Sequence, residues 1–312
     1  MALARTSALT VLRNGEPSDN ESLATACIRF RSVCYMCPMS LWLLALLLVL
    51  SAAIAVGLML VVRRHSPASG YFANPTTANG VLGVMGGMLA VLTAFVIFVA
   101  IDNHRSAEDR SMQEAVATTQ LYRTTALLPD PLASDLRGDL MCYARSVVSD
   151  EWGAKSGEPS GRVQEWLDAM NSSLATFNPA TEREKVGYAE FFSQDAERRD
   201  GRRGRLNAGE SVVPTFLWVV LLIGAVAVSA LALLLTNPQD PKFVHAVMAA
   251  GLAVMLVAGL STIQYLSNPF AGSGAIKPQE MQRTIALMEN TKSPVLDLST
   301  LPCDAAGARP KG

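Results

Sequence analysis

The chain has 312 residues, of which 50% are hydrophobic and 17% charged, with a formal net charge of −1. It is more apolar and less charged than an ordinary soluble domain. A near-neutral balance also excludes an extended basic surface for nucleic acid.

Residues 1–38 are polar, mixed and aperiodic, and are read as an extension ahead of the membrane part. Met36 and Met39 stand just before SLWLLALLLVL, so Met1, Met36 and Met39 are all candidate starts. Cys34 and Cys37 form a CxxC, which alone carries little chemistry, and Cys27, Cys142 and Cys303 are scattered. Neither a disulfide framework nor a cysteine-based zinc site is expected.

Segments 40–62, 81–101, 212–235 and 243–266 contain no Asp, Glu, Lys or Arg. Each holds at least about 20 residues, enough at ~1.5 Å per residue to cross a hydrocarbon core of ~30 Å. The first is too long for the apolar stretch of a cleaved signal peptide. The expected fold is an all-α integral membrane protein. Its parts are helices one and two (39–102), a cytoplasmic helical bundle (103–211), helices three and four (212–266) and a cytoplasmic tail (267–312).

Helix two has the most informative composition. Gly83, Gly87, Ala90 and Ala94 recur at i, i+4, i+7 and i+11, a smooth stripe that lets another helix approach closely, read first as packing within the chain. Another face carries Val91, Phe95, Phe98 and Asp102. Around an axis shared by several subunits, its apolar side chains would make a dewettable constriction lining a pore. None of the four segments carries an acidic or basic side chain at mid-membrane, which argues against ion-coupled transport.

In 103–211, SAEDRSMQEAVATTQLYRTTALL continues helix two with no Pro or Gly to stop it until Asp130-Pro131, which reads as an N-cap and first-turn proline. Leu136, Leu140, Tyr143 and Val147 then repeat on one helical face. Val163, Trp166, Leu167, Met170, Leu174 and Phe177 do the same. Thr181 with Glu184 forms a capping box that opens a third helix through Tyr188 and Phe192.

Arg198, Arg199, Arg202, Arg203 and Arg205 crowd ahead of helix three, whereas the hairpin TNPQDPK between helices three and four offers only Lys242. This bias places the bundle and both termini in the cytoplasm of a cell-membrane protein; Arg29 and Arg31 agree, Arg63 and Arg64 do not. The same cluster is expected to meet anionic lipid headgroups. A nucleic-acid partner is not expected, because residues 103–212 carry 14 Lys and Arg against 18 Asp and Glu, without interleaved aromatics.

No catalytic constellation emerges. His65, His104 and His245 fall at separated places in this topology, and no P-loop, G-x-S-x-G or H-E-x-x-H is present. Glu151 and the other acidic residues read as solvated faces or ion pairs. No enzyme, cofactor or metal is expected.

The order of these features resembles the bacterial bestrophin-like membrane proteins. YARSVVSDEW (143–152) contributes Tyr143, Glu151 and Trp152, and RRGRLNAG (202–209) contributes Arg202 and Arg205. VPTFLWVVLLIGA (213–225) contributes Pro214 and Trp218, and NPFAG (268–272) contributes Pro269, Phe270 and Gly272. By this resemblance the chain is a homo-oligomer, a pentamer in the more distant true bestrophins, passing small anions such as chloride along helix two. Phe95 and Phe98 would stand at its neck and Pro269-Phe270 at the post-membrane turn. Only Glu280 follows that turn, in place of the acidic run of calcium-activated bestrophins, so no Ca²⁺ clasp is expected. The competing expectation is a non-conducting, membrane-anchored scaffold or signalling protein, whose bundle and tail helix (278–290, with Met281, Ile285 and Met288 on one face) bind a partner.

Overall fold

A computed structural model describes residues 41–67, 71–72, 74–152, 158–209, 213–235, 241–271, 274–290 and 301–309. The chain divides into Met1–Pro38 and Met39–Gly312, and every described residue lies in the second unit. The candidate starts, Cys27, Arg29, Arg31, Cys34, Cys37, Gly272 and most of the hairpin after helix three lie outside the described residues.

The four charge-free segments become α1 (Leu41–His65), α2 (Pro75–Thr124), α6 (Thr215–Leu234) and α7 (Lys242–Leu266), each long and apolar enough to cross a membrane. Prolines set three of their starts. Pro75 opens α2 ahead of the first predicted residue, where its missing N–H costs nothing, while Pro214 and Pro241 are the N-caps of α6 and α7. Along their membrane-length runs many outward side chains of these helices are large, apolar and uncovered by protein, as a lipid solvent allows.

Their shared core joins Leu89 and Val96 of α2 to Val213 and to Leu221, Val228 and Ile263 of α6 and α7. Small residues do permit close approach, but on the other partner. A Cβ on Gly224 of α6 would lie 3.0 Å from Leu89 Cδ1, and one on Gly259 of α7 would lie 3.4 Å from Thr93 Cγ2.

At 50 residues α2 is ~75 Å long, far more than one bilayer crossing needs. Its second half runs on as predicted and ends in a single 3₁₀ turn, Thr125–Leu127. Beyond it come α3 (Leu132–Ser146), a π-helical turn (Val147–Glu151), α4 (Gly161–Ala175), α5 (Glu182–Ala208) and α8 (Gln279–Asn290). The start of α3 differs slightly from expectation. Pro131 rather than Asp130 is the N-cap, because the Pro131 carbonyl already accepts from the Ser134 and Asp135 amides. The Thr181 and Glu184 capping box forms: Thr181 Oγ1 accepts from the Glu184 amide at 3.2 Å, and the Glu184 carboxylate accepts from the Thr181 amide. The Ala180 amide, donating to the same carboxylate at 2.8 Å, and the Thr181 amide hold the Glu184 carboxyl below its ordinary value.

The periodic residues of α3 and α4 make the second core. Leu136, Leu140, Tyr143 and Val147 are fully buried, against Val163, Trp166, Leu167, Met170 and Leu174. The α8 face of Met281 and Met288 joins the same core, with Ile285 packed beside it. The tail helix therefore does not offer its apolar face to a partner; its own bundle occupies it.

Cysteine requires a correction. Cys142 of α3 and Cys303 of the tail form a disulfide with Cα atoms 5.8 Å apart. The pairing spans 161 residues of sequence, so spacing gave no hint of it; only the docking of residues 301–309 onto α3 creates it.

One buried acid on α3 makes a pH prediction. Burial pushes the Asp139 carboxyl up to about 6, Asp135 adds to the rise and Arg309 opposes it. Between about pH 4 and 6 the folded state then holds a proton that the unfolded chain has lost, an advantage that disappears as pH rises through about 6. The melting temperature of Asp139→Asn relative to the wild type should therefore improve as pH is raised from about 4 to about 7. Thermal scans at several pH values check this.

Candidate functional site

Two faces of α2 have opposite fates. Leu89 and Val96 turn inward to α6 and α7, and Ala100 is buried as well. The face carrying Val91, Phe95 and Phe98 is uncovered, with these three side chains 72%, 65% and 67% exposed. Asp102 follows on the same line, and there the face opens into a groove of about 440 Å³ lined by Asp102, Arg105, Ser106, Asp109, Arg110 and Gln113.

The small-residue stripe lies beside that face. Gly83, Gly87, Ala90 and Ala94 are all exposed, and a Cβ at Gly83 or Gly87 would meet nothing within 4 Å. Packing of this stripe within the chain is thus corrected: α6 and α7 occupy the opposite side of α2, and the closely packed glycines are theirs.

Behind the groove, α2 rests on α5 through a buried ionic cluster. Arg205 Nε donates to Glu114 Oε2 at 2.5 Å, and Arg205 Nη2 to Glu151 Oε2 at 2.6 Å. Arg202 Nη2 donates to Glu151 Oε1 at 2.5 Å. Tyr143 donates its hydroxyl to Glu114 Oε1 at 2.6 Å, under the Arg198 guanidinium 4.8 Å from its ring centre. Arg198 itself pairs with Asp195 at 2.6 Å. Three carboxylates thus meet three guanidiniums, and the buried charge balances.

Local backbone explains the convergence. Arg198, Arg202 and Arg205 recur at i, i+4 and i+7, so they share the inward face of α5. Gly201, on the same face, brings the backbones together: a Cβ there would sit 2.6 Å from the Glu114 amide nitrogen. The π-helical turn widens the end of α3 and aims Glu151 into the cluster, where it also accepts from the Ser160 amide at 3.0 Å.

Electrostatics follow the geometry. Burial alone would raise the Glu151 carboxyl, but its hydrogen bonds and charges from Arg202 and Arg205 win and hold it below the ordinary carboxylate value. Burial, then the Glu114 charge, pushes the Tyr143 phenol upward, so it remains a donor. Burial opposes the charge on Arg205, yet Glu114 and Glu151 hold it firmly protonated.

The expected meeting of Arg198–Arg205 with lipid headgroups is accordingly corrected for Arg198, Arg202 and Arg205, which are buried in ion pairs. Of the five, only Arg199 and Arg203 reach the surface, and Arg199 pairs with Asp195 at 3.1 Å. Sequence reasoning missed Glu114 and Asp195, although the i, i+4, i+7 spacing of the arginines was a signal that one helical face needed acidic partners.

The other motif residues join the cluster to the membrane helices. Trp152 lies under Arg205 at 5.2 Å, stacks edge-on with Phe270 at 5.6 Å, and donates its indole N–H to the Ile276 carbonyl at 2.9 Å. Pro269 accepts from the Ile276 amide at 2.8 Å, which turns the chain back after α7. Pro214 caps α6, and Trp218 is packed at the edge of the membrane core. Among the described residues, no three His, Cys, Asp or Glu side chains converge where a metal ion could be held.

A family model described as a Bestrophin-like domain matches residues 49–281. Among curated proteins none matches. Solved structures do. One is a point variant of a bacterial bestrophin homologue from Klebsiella pneumoniae, 12% identical, covering 78% of this chain and 99% of its own, with a TM-score of 0.60. A second variant of that homologue is also 12% identical with the same coverages and a TM-score of 0.61. A structure described only as a membrane protein reaches 0.62 at 13% identity, covering 77% of this chain and 97% of its own. With a helical fold shared along these chains and a family match over most of this one, the protein belongs to the bestrophin-like family.

Proposed function

We propose that this protein is an oligomeric, passive channel for small anions, with α2 of each copy facing a common axis. The observation that carries the reading is the uncovered face of Val91, Phe95 and Phe98, opposite the packed face of the same helix. Exposed aromatics alone would suit lipid. Here the same line continues, past the membrane-length run, into a charged groove at Asp102 and Arg105 that would give a pore along this face a polar mouth. In a ring, the neighbouring small stripe of Gly83, Gly87, Ala90 and Ala94 is free for contact with the next subunit. The helical domain and both termini lie in the cytoplasm in this reading, and Arg203 faces anionic headgroups or solvent. The scaffold reading is less favoured, because the tail-helix face it needs is buried in the protein's own core.

Planar-bilayer recording of purified protein under a chloride gradient tests this. Chloride current is expected, with Phe95→Ala and Phe98→Ala raising conductance by widening and wetting the constriction. Silence at every voltage in all three forms would favour the scaffold.

A further inference from the structure

The tail residues 301–309 form a strap across α3 and α4, and the strap has two kinds of anchor. One is covalent, the Cys142–Cys303 disulfide. The others are individually weak. Trp166 donates its indole N–H to the Gly307 carbonyl at 2.8 Å, and the Arg309 guanidinium lies 4.9 Å from the Trp166 ring centre. Ser149 donates to the Ala306 carbonyl at 2.6 Å, and Arg145 to the Asp304 carbonyl at 3.2 Å, both at the solvent-exposed edge. Asp304 accepts from the Ala306 and Ala308 amides, so that turn is held by the strap itself.

We propose that this disulfide is a redox-modifiable latch, which a low-molecular-weight thiol of the glutathione class opens to release the strap. Disulfides in cytoplasmic proteins are usually transient or sensing rather than structural. The compartment rests on the topology proposed above; the chemistry does not. Cys142 is fully buried and Cys303 nearly so, at 7%, so the thiolate enters at Cys303 when the weakly held strap opens locally. The S–S bond breaks, a mixed disulfide forms on Cys303, and Cys142 leaves as a thiolate and takes up a proton. A second thiol resolves the mixed disulfide. In sum, two small thiols are oxidised to one small disulfide and the protein disulfide is reduced to two thiols. An oxidised small disulfide drives the reverse.

Release reaches further than the strap. Ser149 lies in the π-helical turn, two residues before Glu151 and three before Trp152, which hold the ionic cluster and the post-membrane turn. Oxidation therefore clamps the turn that braces α2 against α5, and reduction frees one side of it.

Full-length protein with Cys27, Cys34 and Cys37 changed to Ser leaves a single dithiol to follow. It is equilibrated over a series of reduced and oxidised glutathione ratios, alkylated, and read by mass spectrometry, with hydrogen exchange measured on the same samples. The disulfide is expected to titrate within the series. On reduction, exchange in residues 301–309 should rise at least about tenfold, with a smaller rise in 147–152, and Cys303→Ser should match the reduced form. Gly307→Ala keeps both cysteines but unseats the strap: Gly307 has φ of +76°, and a Cβ would lie 2.5 Å from the Ser146 amide nitrogen. Its disulfide should be reduced about tenfold faster. A disulfide that stays closed at every ratio in the folded protein overturns the latch, and so does unchanged exchange in either segment after reduction.

Discussion

Replacing Arg205 with Met is expected to destabilise the protein by about 3–5 kcal/mol, since it takes from the fully buried Glu114 the guanidinium it pairs with and leaves Glu151 with Arg202 alone. Thermal unfolding of detergent-solubilised protein measures this, with the exposed Arg203→Met as a control expected within about 0.5 kcal/mol of the wild type. Adding Glu114→Gln to Arg205→Met should restore part of the loss, because Arg202 still serves Glu151. The sign of the pH dependence follows. With its carboxyl held below the ordinary value, Glu151 stabilises the wild type fully above the unfolded carboxylate value of about 4.3, and that contribution is lost as pH falls through the lower folded value. The gap between the wild type and Arg205→Met should therefore narrow below about pH 4.

The second large effect concerns two glycines three residues apart on α5. At Gly201 an added Cβ would lie 2.6 Å from the Glu114 amide nitrogen and 2.9 Å from its Cα, so the backbone of α2 itself must move. Gly201→Ala is expected to cost about 2–3 kcal/mol even after the helix propensity it gains. At Gly204 the nearest atoms are Cδ and Cγ of Arg110, the stem of a flexible side chain. Gly204→Ala should lie within about 1 kcal/mol of the wild type and on the stabilising side, because the stem swings aside and the helix gains about that much. Parallel thermal unfolding of the pair reads the contrast. Equal losses would mean that the two helices are not in backbone contact at Gly201.

Much of this fold was legible because its signals are local. Long runs without charge became membrane-length helices, and α2 continued as far as its uninterrupted pattern. Thr181 and Glu184 carry their cap within four residues. Non-local pairings were hidden. Helix two is apolar nearly all round, so its pattern separates its faces but cannot tell which one α6 and α7 cover; Leu89 rather than Gly83 or Gly87 turned out to face them. Buried arginines look like surface arginines until an acid from another helix is placed beside them, and Glu114 is 91 residues from Arg205. The two cysteines are farther apart still. The motif residues Tyr143, Glu151, Trp152, Arg202 and Arg205 were picked out by resemblance, and in the folded chain they and Phe270 are direct neighbours. Through Glu114 the cluster ties the long helix α2 to α5.

A density map of the full-length assembly extracted in mild detergent would show where α2 of each copy stands. A closed ring of identical subunits is expected, with α2 of each copy nearest the axis, Phe95 and Phe98 pointing into it, and the small-residue stripe against the neighbouring subunit. A monomeric particle, or a ring in which Phe95 and Phe98 face detergent on the outside, would contradict it.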